Sequence, residues 1–527
     1  MAEYRTPGVT VSESLKARET GTTNSGIARS VIVGPTAQGP TTPTAVGNWS
    51  QFVELFGDWR SVAPASDAED ASKQMVDAAY TYFSNASSGA SPLTVVRVLE
   101  SGATYSTLSV VDTAHAGTTE QKTAFNIQAV SPGVWGDSLQ IVILKPTAVP
   151  AGGDPEDDLD AVLNTRFSIV VKLNGQVLES HNNLTLNSSD RQYCATVVNG
   201  FSRYIRLTDV KANGTHIVPA ISDGSVTTLD GGDDGDAPVS SDYTVALKQL
   251  DAVAQPLTLT APGISDTTIV NAVVAYGAAR GDAFTIISAP DLSPDENDVD
   301  SVQYWAAGLT KSSFAAVYYP DVLIADPLIG SSSITRSVSN AGSVLGAFAD
   351  NDQRIGVWRT PAGTSAFLRA VVQPSRALSA DRLSSLNSGY NPINVIRRVN
   401  TIGPCIMGGR TLDQRQSDRY VGIRRSLSFV RSSLQNLLEY ALFEPNGPDL
   451  WVDVTARLEN FLGLYYQRGA LRGAREPEAF YVTCDATNNP PSSVAAGELH
   501  VTVGVAVEYP AEFVIIDLVQ HQESVRN

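Results

Sequence analysis

The chain has 527 residues, 43% of them hydrophobic and 17% charged, so it can build ordinary globular cores, and roughly three domains are expected at roughly 100–200 residues each. Its formal net charge of −18 argues against nucleic-acid binding, which needs a basic footprint. Neither a secretory signal nor an apolar run long enough to cross a membrane is found, so the protein is expected to fold in a cytoplasm. The three cysteines lie far apart and predict neither a disulfide framework nor a paired-cysteine metal site.

Residues 1–25 form a polar segment with a short β-type run around Val9 and Val11. Nothing in this segment can bury itself alone, because its apolar residues are few and lie among Ser, Thr, Glu and Lys. A disordered terminus is the usual interpretation of such a composition.

Helix and strand patterns alternate in two parts of the chain, which predicts an α/β core. The first part, residues 26–99, has buried strands at 30–34 and 93–98 and a helix at 66–83. The second part, residues 267–395, continues the alternation. Its predicted elements are strands at 283–289 and 314–320 and helices at 298–310 and 335–349.

Residues 100–266 differ from both flanks in being rich in Thr, Ser, Gly and Asp, with short alternating apolar runs. Such runs, separated by turn residues, predict strands. The segment contains 20 acidic and 9 basic residues, a net charge of −11, which is more than half of the excess negative charge of the chain. We therefore predict an inserted, β-rich, acidic domain that faces solvent.

The last part of the chain is predicted to be an α+β domain over residues 396–510, followed by a C-terminal arm over 511–527. Apolar residues at helical spacing between 427 and 442 predict a long amphipathic helix, and a second helix is predicted at 449–468. Strict alternation of Leu and Val from Leu499 to Val507 predicts a strand with one buried face.

Residues suited to catalysis or metal binding are scarce. The histidines are His115, His181, His216, His500 and His521. None lies between residues 217 and 499, so a histidine-based nucleophile system is excluded from the second α/β part. The P-loop-like segment 34–41 has Pro40 in place of the phosphate-binding lysine, and the acidic segment 229–238 lacks calcium-loop spacing. We predict no catalytic residue, no metal site and no cofactor, hence no enzyme.

Arginines concentrate near the C-terminus. Residues 390–475 contain 12 arginines, no lysine and 7 acidic residues, a net charge of +5 within an acidic chain. Arginine suits bidentate, partly buried ion pairs. Two interpretations stay open from the residues alone: ordinary ion pairs within the domain, or a basic face that docks an acidic partner.

Several short motifs, in order along the chain, resemble those of the tail sheath proteins of contractile phages, tailocins and related injection machines. They include TPGVTVSE (6–13), VIVGPTAQGP (31–40), SPGVWGDSLQIVI (131–143), GDAFTIISAP (281–290), GGRTL (408–412), FEPNGPDLW (443–451) and GVAVEYPAEFVII (504–516). Each motif alone is weak, but their common order and spacing run nearly from end to end.

This resemblance implies a structural subunit that polymerises helically around a tail tube and contracts to drive the tube through a cell envelope. It also implies a subtilisin-like topology for residues 267–395, without proteolysis because that part has no histidine. The expected partners are further copies, the tail tube protein, and baseplate and tail terminator proteins, without nucleic acid or membrane insertion. The expected location is the tail sheath of a virion, after assembly in the host cytoplasm. Another tail or baseplate part, or a surface-layer-like assembly protein, is the alternative.

The family also gives a role to the termini, because its subunits are linked by terminal arms that add strands to the C-terminal domains of neighbours. The candidate arm residues are Val9, Val11, Phe513, Val514, Ile515, Ile516 and Leu518. We further hypothesise that the arginine-rich domain meets the tube. The candidate tube-facing residues are Arg457, Arg468, Arg472 and Arg475.

Overall fold

A computed structural model describes residues 28–60, 71–87, 92–112, 123–145, 166–211, 219, 225–295, 301–329, 331–510 and 512. Within these residues the chain has a mixed α/β, multidomain architecture. The strands are β1 (Arg29–Gly34), β2 (Thr44–Val46), β3 (Leu93–Arg97), β4 (Thr107–Val111), β5 (Thr123–Ala129), β6 (Leu139–Leu144), β7 (Phe167–Leu173), β8 (Gln176–Leu184), β9 (Ile205–Thr208), β10 (Thr227–Thr228), β11 (Leu257–Thr260), β12 (Ala283–Ser288), β13 (Ala315–Tyr319), β14 (Val322–Asp326), β15 (Ser331–Val338), β16 (Val371–Pro374), β17 (Ile393–Val399), β18 (Gly403–Ile406), β19 (Phe480–Thr483) and β20 (Thr502–Val505).

Of the twelve helices in the same parts of the chain, five lie where the periodicity predicted helices, and seven were not predicted. The twelve helices are α1 (Trp49–Phe56), α2 (Ala71–Asn85), α3 (Cys194–Phe201), α4 (Ser240–Lys248), α5 (Thr267–Arg280), α6 (Val302–Ala307), α7 (Ala341–Arg354), α8 (Ala380–Ser388), α9 (Val421–Leu438), α10 (Pro448–Gln467), α11 (Glu476–Ala479) and α12 (Pro491–Ala495). Of the helix predicted at 298–310, the described residues 301–310 contain α6. The helix predicted at 335–349 begins at Ala341, because the preceding residues form strand β15.

The largest sheet has eight strands in the order β18-β17-β13-β12-β11-β1-β3-β2. Its interior pairs are parallel, whereas the pairs at its two edges, β17 with β18 and β2 with β3, are antiparallel. Helices α2 and α7 cover one face, and α4, α5, α6 and α8 cover the other. Because both faces are covered, the central strands are continuous apolar runs, as in the fully buried Ala-Ala-Val-Tyr-Tyr of β13.

The two α/β parts of the chain form this one sheet together, since β1 pairs with β3 on one side and with β11 on the other. Strand β11, which lies between β1 and β12 at the centre, falls inside the predicted insertion of residues 100–266. Parallel pairing joins strands that are distant in sequence, so local composition does not reveal it. The division of the chain into domains stays a prediction.

Most of the predicted insertion is β-rich, as expected from its alternating runs. It contains a four-stranded sheet, β10-β6-β7-β8, and a three-stranded sheet, β4-β5-β9. Apolar residues from both sheets share one core, in which the rings of Phe125 and Phe167 stack with centroids 5.7 Å apart. The predicted strands of this segment are therefore confirmed. A further three-stranded sheet, β15-β14-β16, lies later in the chain.

Two glycines let α7 approach α2 closely. A Cβ atom at Gly342 would lie 2.1 Å from the carbonyl oxygen of Ala78, and one at Gly346 would lie 2.7 Å from that of Tyr82. Real side chains do not tolerate such distances, so larger residues here would force the helices apart. This packing holds the α2–α7 layer on the large sheet.

Candidate assembly interface

Helices α9 and α10 form a C-terminal helical hairpin. The predicted apolar face of α9, including Val430 and Leu434, packs in one core with Val454 and Leu458 of α10. Near the connecting loop, the Tyr440 hydroxyl donates to Asp453 over 2.7 Å, and at the far end Ser426 and Tyr465 share a 2.8 Å hydrogen bond. The two helices therefore run antiparallel, and the loop forms one tip of the unit.

A two-stranded sheet, β19 with β20, packs on this hairpin. It is antiparallel, with Phe480 opposite Val505 and Val482 opposite Val503. The alternating valines of the predicted strand are half-buried against the helices rather than fully buried, and β20 is shorter than the predicted 499–509 run. Within the described residues no third strand pairs with either of them, although just beyond β20 Leu471 forms an isolated bridge with Val507. A lone two-stranded ribbon is marginal in water, so its open edges suit additional strands.

The chain that follows β20 is held by a carboxylate clamp at Glu512. The guanidinium of Arg410 donates to both oxygens of Glu512, over 2.7 and 2.8 Å. Asn387 donates to one oxygen over 3.2 Å, and the Tyr420 hydroxyl donates to the other over 3.1 Å. Paired, charged hydrogen bonds of this kind are stronger and more directional than neutral ones.

The clamp also determines the charge state of Glu512. Partial burial favours the neutral acid, but the hydrogen bonds from Arg410 and Asn387 outweigh it and lower the pKa of Glu512 below its ordinary value of 4.5. Just before the clamp, the ring of Tyr509 packs edge-on against Tyr420, with centroids 6.5 Å apart, and lies under the guanidinium of Arg472. Tyr509 and Glu512 are therefore held by side chains that come from distant parts of the chain, namely Asn387, Arg410, Tyr420 and Arg472.

Substitution Arg410→Ala is expected to release this segment. Glu512 then keeps only two neutral donors, and the loss of charged hydrogen bonds costs about 1.5–3 kcal/mol. Because the pKa of Glu512 is lowered in the fold, the clamp stabilises the protein above pH 4.5 and this contribution is lost as the pH falls towards the lowered pKa. Hydrogen exchange of residues 505–512 measures the release.

The matched control for this experiment is Arg415→Ala, which removes an exposed arginine paired only with nearby carboxylates. It should leave exchange at residues 505–512 unchanged. Equal protection of that segment in the Arg410→Ala variant and the wild type would contradict the clamp.

The four candidate tube-facing arginines are all exposed: Arg457 lies in the middle of α10, and the other three follow its C-terminal end. Arg457 pairs with Asp453 at 2.9 Å, and Arg475 pairs with Glu478 at 3.3 Å. Arg472 covers Tyr509, and Arg468 has no ion pair within the part of the chain that the structure describes. The structure does not test whether these residues face a tube.

Other arginines of the same region are buried. Arg424 pairs with Asp418 at 2.6 Å, and Arg425 forms a bidentate pair with Asp352 of α7. The first interpretation, ion pairs within the domain, therefore holds for some of these arginines, and docking of an acidic partner by the exposed ones stays a prediction. The sequence did not indicate which were which. The sequence did contain an indication that Arg410 and Glu512 matter, because both residues lie within motifs that carry the resemblance.

The candidate arm residues cannot be placed. Val9, Val11 and the C-terminal group from Phe513 to Leu518 lie outside the described residues. Glu512, which is described, is the residue immediately before that C-terminal group. The arms therefore stay a prediction.

The residues considered for chemistry have structural partners. The acidic turn of 229–236 is tied to the chain nearby, since Val134 N–H donates to Asp234 and Gly232 N–H donates to Asp137, each over 3.0 Å. His500 is exposed beside Glu498, just before β20. In the described part of the chain, no group of three or more His, Cys, Asp or Glu side chains is placed to bind a metal. No helix there is long and apolar enough to cross a membrane.

Comparison with known proteins finds similarity to tail sheath proteins, the family that the motifs resemble. No family model matches the chain. The chain is 22% identical over 388 residues to the tail sheath protein of Vibrio phage KVP40, a match that spans 68% of this chain but only 55% of that protein. It superposes on the contracted helical sheath of the anti-feeding prophage with a TM-score of 0.54, at 18% identity, covering 98% of this chain and 100% of that one. This is the fold of a contractile sheath protein.

A sheath tail protein from Listeria innocua has the same fold. Its TM-score is 0.58 at 12% identity, and the superposition covers 92% of this chain and 96% of that one. The sheath fold thus extends over both α/β parts, the β-rich segment and the C-terminal helical hairpin.

Proposed function

We propose that the chain is the structural subunit of a contractile tail sheath, which polymerises helically around a tail tube and contracts to drive the tube through a cell envelope. The observation that carries this proposal is the superposition, over nearly the full length of both chains, on a helical sheath in its contracted state. Sheath proteins store energy in interfaces that have two arrangements, so such a subunit needs no nucleotide.

The two-stranded β19–β20 sheet is the proposed acceptor for the terminal arms. Its open edges offer backbone donors and acceptors, and its half-buried valines fix the register of an added strand. The Glu512 clamp holds the chain immediately before the C-terminal arm, so tension on that arm is transmitted to Arg410 and the body of the subunit. Arms given by each subunit to its neighbours create head-to-tail contacts, which extend into a helix.

The body of the subunit is proposed to act as a rigid unit without catalysis. We infer that residues 267–395 keep the subtilisin-like topology implied by the resemblance, and that the acidic insertion lies on the outside of the sheath. Further partners are the tube, baseplate and tail terminator proteins, without nucleic acid or a membrane. The assembled location is the tail of a virion, and assembly takes place in the host cytoplasm.

Negative-stain microscopy of the purified chain tests the function. A sheath subunit is expected to form hollow tubes of uniform width without any other protein. Flat lattices would favour the surface-layer alternative. Discrete closed rings that never stack would favour a baseplate part, and either result would contradict the proposal.

The arginines near the end of α10 are proposed to meet the tube. The double variant Arg468→Glu and Arg472→Glu is expected to weaken binding to the cognate tube about tenfold, because like charges placed across an interface cost several kcal/mol and 1.4 kcal/mol is already tenfold. Co-sedimentation with preformed tubes measures the affinity. The control variant, Arg203→Glu with Arg415→Glu, reverses two other exposed arginines and should bind as the wild type does. Unchanged binding by the Arg468→Glu and Arg472→Glu variant would show that these two arginines do not contact the tube.

A further inference from the structure

The loop between α9 and α10 presents an aromatic side chain to solvent. Phe443 is 90% exposed, and Val452 on the first turns of α10 is 70% exposed. Phe443 also has a backbone φ of 65°, a conformation that bulky residues rarely adopt. An exposed ring contributes no packing within its own subunit, so the unfavourable backbone has no compensation there. We call residues 439–452 the hairpin tip.

The hairpin tip is held rigidly. The Asn446 side chain donates to the carbonyl of Glu498 over 2.9 Å, and the Trp451 indole donates to Asn446 over 2.8 Å. Pro445 and Pro448 restrict the backbone on both sides of Asn446. An aromatic residue on a rigid loop loses little entropy on binding, and such residues are typical anchors of protein interfaces.

The charge of the hairpin tip is uniformly negative. Residues 432–456 contain no lysine or arginine. Glu439, Glu444 and Asp449 are all exposed, and none of them forms an ion pair within the described residues. A surface that fits the tip must therefore combine exposed apolar groups with unpaired cations.

The turn between β17 and β18, at the edge of the large sheet, has this composition. Arg397 and Arg398 at the end of β17 are exposed and have no ion pair among the described residues. As consecutive strand residues they project to opposite faces of the sheet, so this edge carries a cation on each side. Ile402 in the turn is 40% exposed, and Phe367, whose ring lies against Gly403, is 38% exposed. We call these four residues the basic turn.

We propose that the hairpin tip of one subunit docks on the basic turn of a second copy of this chain, with Phe443 as its apolar anchor. The proposal rests on the proposed function, because it adds a contact between sheath subunits. The exposed arginines beside α10 fit less well, since Arg472 is already placed over Tyr509. Because the tip and the turn are different surfaces of one chain, the contact is head-to-tail and repeats along a polymer.

A charge swap tests the contact in the full-length chain. The tip variant carries Glu439→Lys and Glu444→Lys, the turn variant carries Arg397→Glu and Arg398→Glu, and a third protein combines all four changes. Tube formation is measured by sedimentation and microscopy, with the wild type in parallel. The control, Glu459→Lys with Glu476→Lys, makes the same charge change at exposed positions away from the tip.

The expected result is that the tip and turn variants each form at least tenfold fewer tubes, while the combined protein recovers most of the wild-type yield and the control assembles normally. Recovery requires that the two surfaces meet, and it cannot be explained by misfolding of either variant. The substitution Phe443→Ser should reduce the yield without any change of charge. Normal assembly by either double variant, or failure of the combined protein to recover, overturns the docking while tubes of the wild type still support a sheath function. Absence of tubes in the wild type itself overturns both.

Discussion

Deletion of residues 1–20 is expected to leave a folded monomer that no longer forms tubes. The first described strand, β1, begins at Arg29 and pairs only with strands later in the chain, so the large sheet forms without the deleted residues. Assembly, in contrast, is proposed to require the N-terminal arm as an added strand. Several backbone hydrogen bonds at about 0.5–1.5 kcal/mol each are lost per subunit, and each 1.4 kcal/mol lowers association about tenfold. Circular dichroism and sedimentation measure the two outcomes.

Point variants distinguish the loss of strand pairing from the mere shortening of the N-terminal arm. In the proposed added strand, side-chain alternation puts Val9 and Val11 on one side and Thr10 and Ser12 on the other. Val9→Asp with Val11→Asp should therefore prevent assembly, whereas Thr10→Asp with Ser12→Asp should be tolerated. The arm model is wrong if the truncated chain forms tubes of ordinary length.

Substitution Asp352→Ala is expected to destabilise the subunit by about 3–5 kcal/mol, because it leaves the buried guanidinium of Arg425 without its counter-charge. Both side chains are only 2% exposed. Arg425 donates to Asp352 over 2.9 Å and to the hydroxyl of Thr258 over 3.0 Å, and its guanidinium carbon lies 4.8 Å from the centre of the Phe348 ring. This pair joins α9 to α7 and β11, and so fixes the helical hairpin to the large sheet.

Chemical denaturation of the unassembled subunit measures this loss. The matched variant replaces the whole pair, with Asp352→Leu and Arg425→Met, and should recover most of the stability because no charge stays buried. A loss below about 1 kcal/mol for Asp352→Ala would show that water or another acid reaches Arg425. The same measurement on Asp453→Ala, an exposed partner of Arg457, should show little change.

Much of the architecture followed from sequence periodicity. The apolar runs at 283–289 and 314–320 predicted strands, and β12 and β13 are strands there, with every residue buried. The spacing between 427 and 442 predicted α9, which packs on α10 through Val430 and Leu434. These patterns are local, because burial of one face repeats at the period of the element itself.

The central position of β11 could not be predicted in this way. Its four residues are as apolar and as short as the strands of the acidic insertion that precede them, and composition assigned them there. Their partners are β1, more than two hundred residues earlier in the chain, and β12. The partners of a strand in a parallel sheet depend on how the whole chain is connected. They cannot be predicted from the four residues of the strand itself.

The arginine-rich segment shows the same division between sequence and structure. Composition alone shows that residues 390–475 are basic within an acidic chain, and that arginine rather than lysine carries the charge. The fold is needed to see that Arg425 is buried in an ion pair, that Arg410 clamps Glu512, and that Arg397 is exposed and unpaired among the described residues. The reason is physical: a charge can be buried only where a counter-charge comes to meet it, and those carboxylates lie 73 and 102 residues away in the sequence.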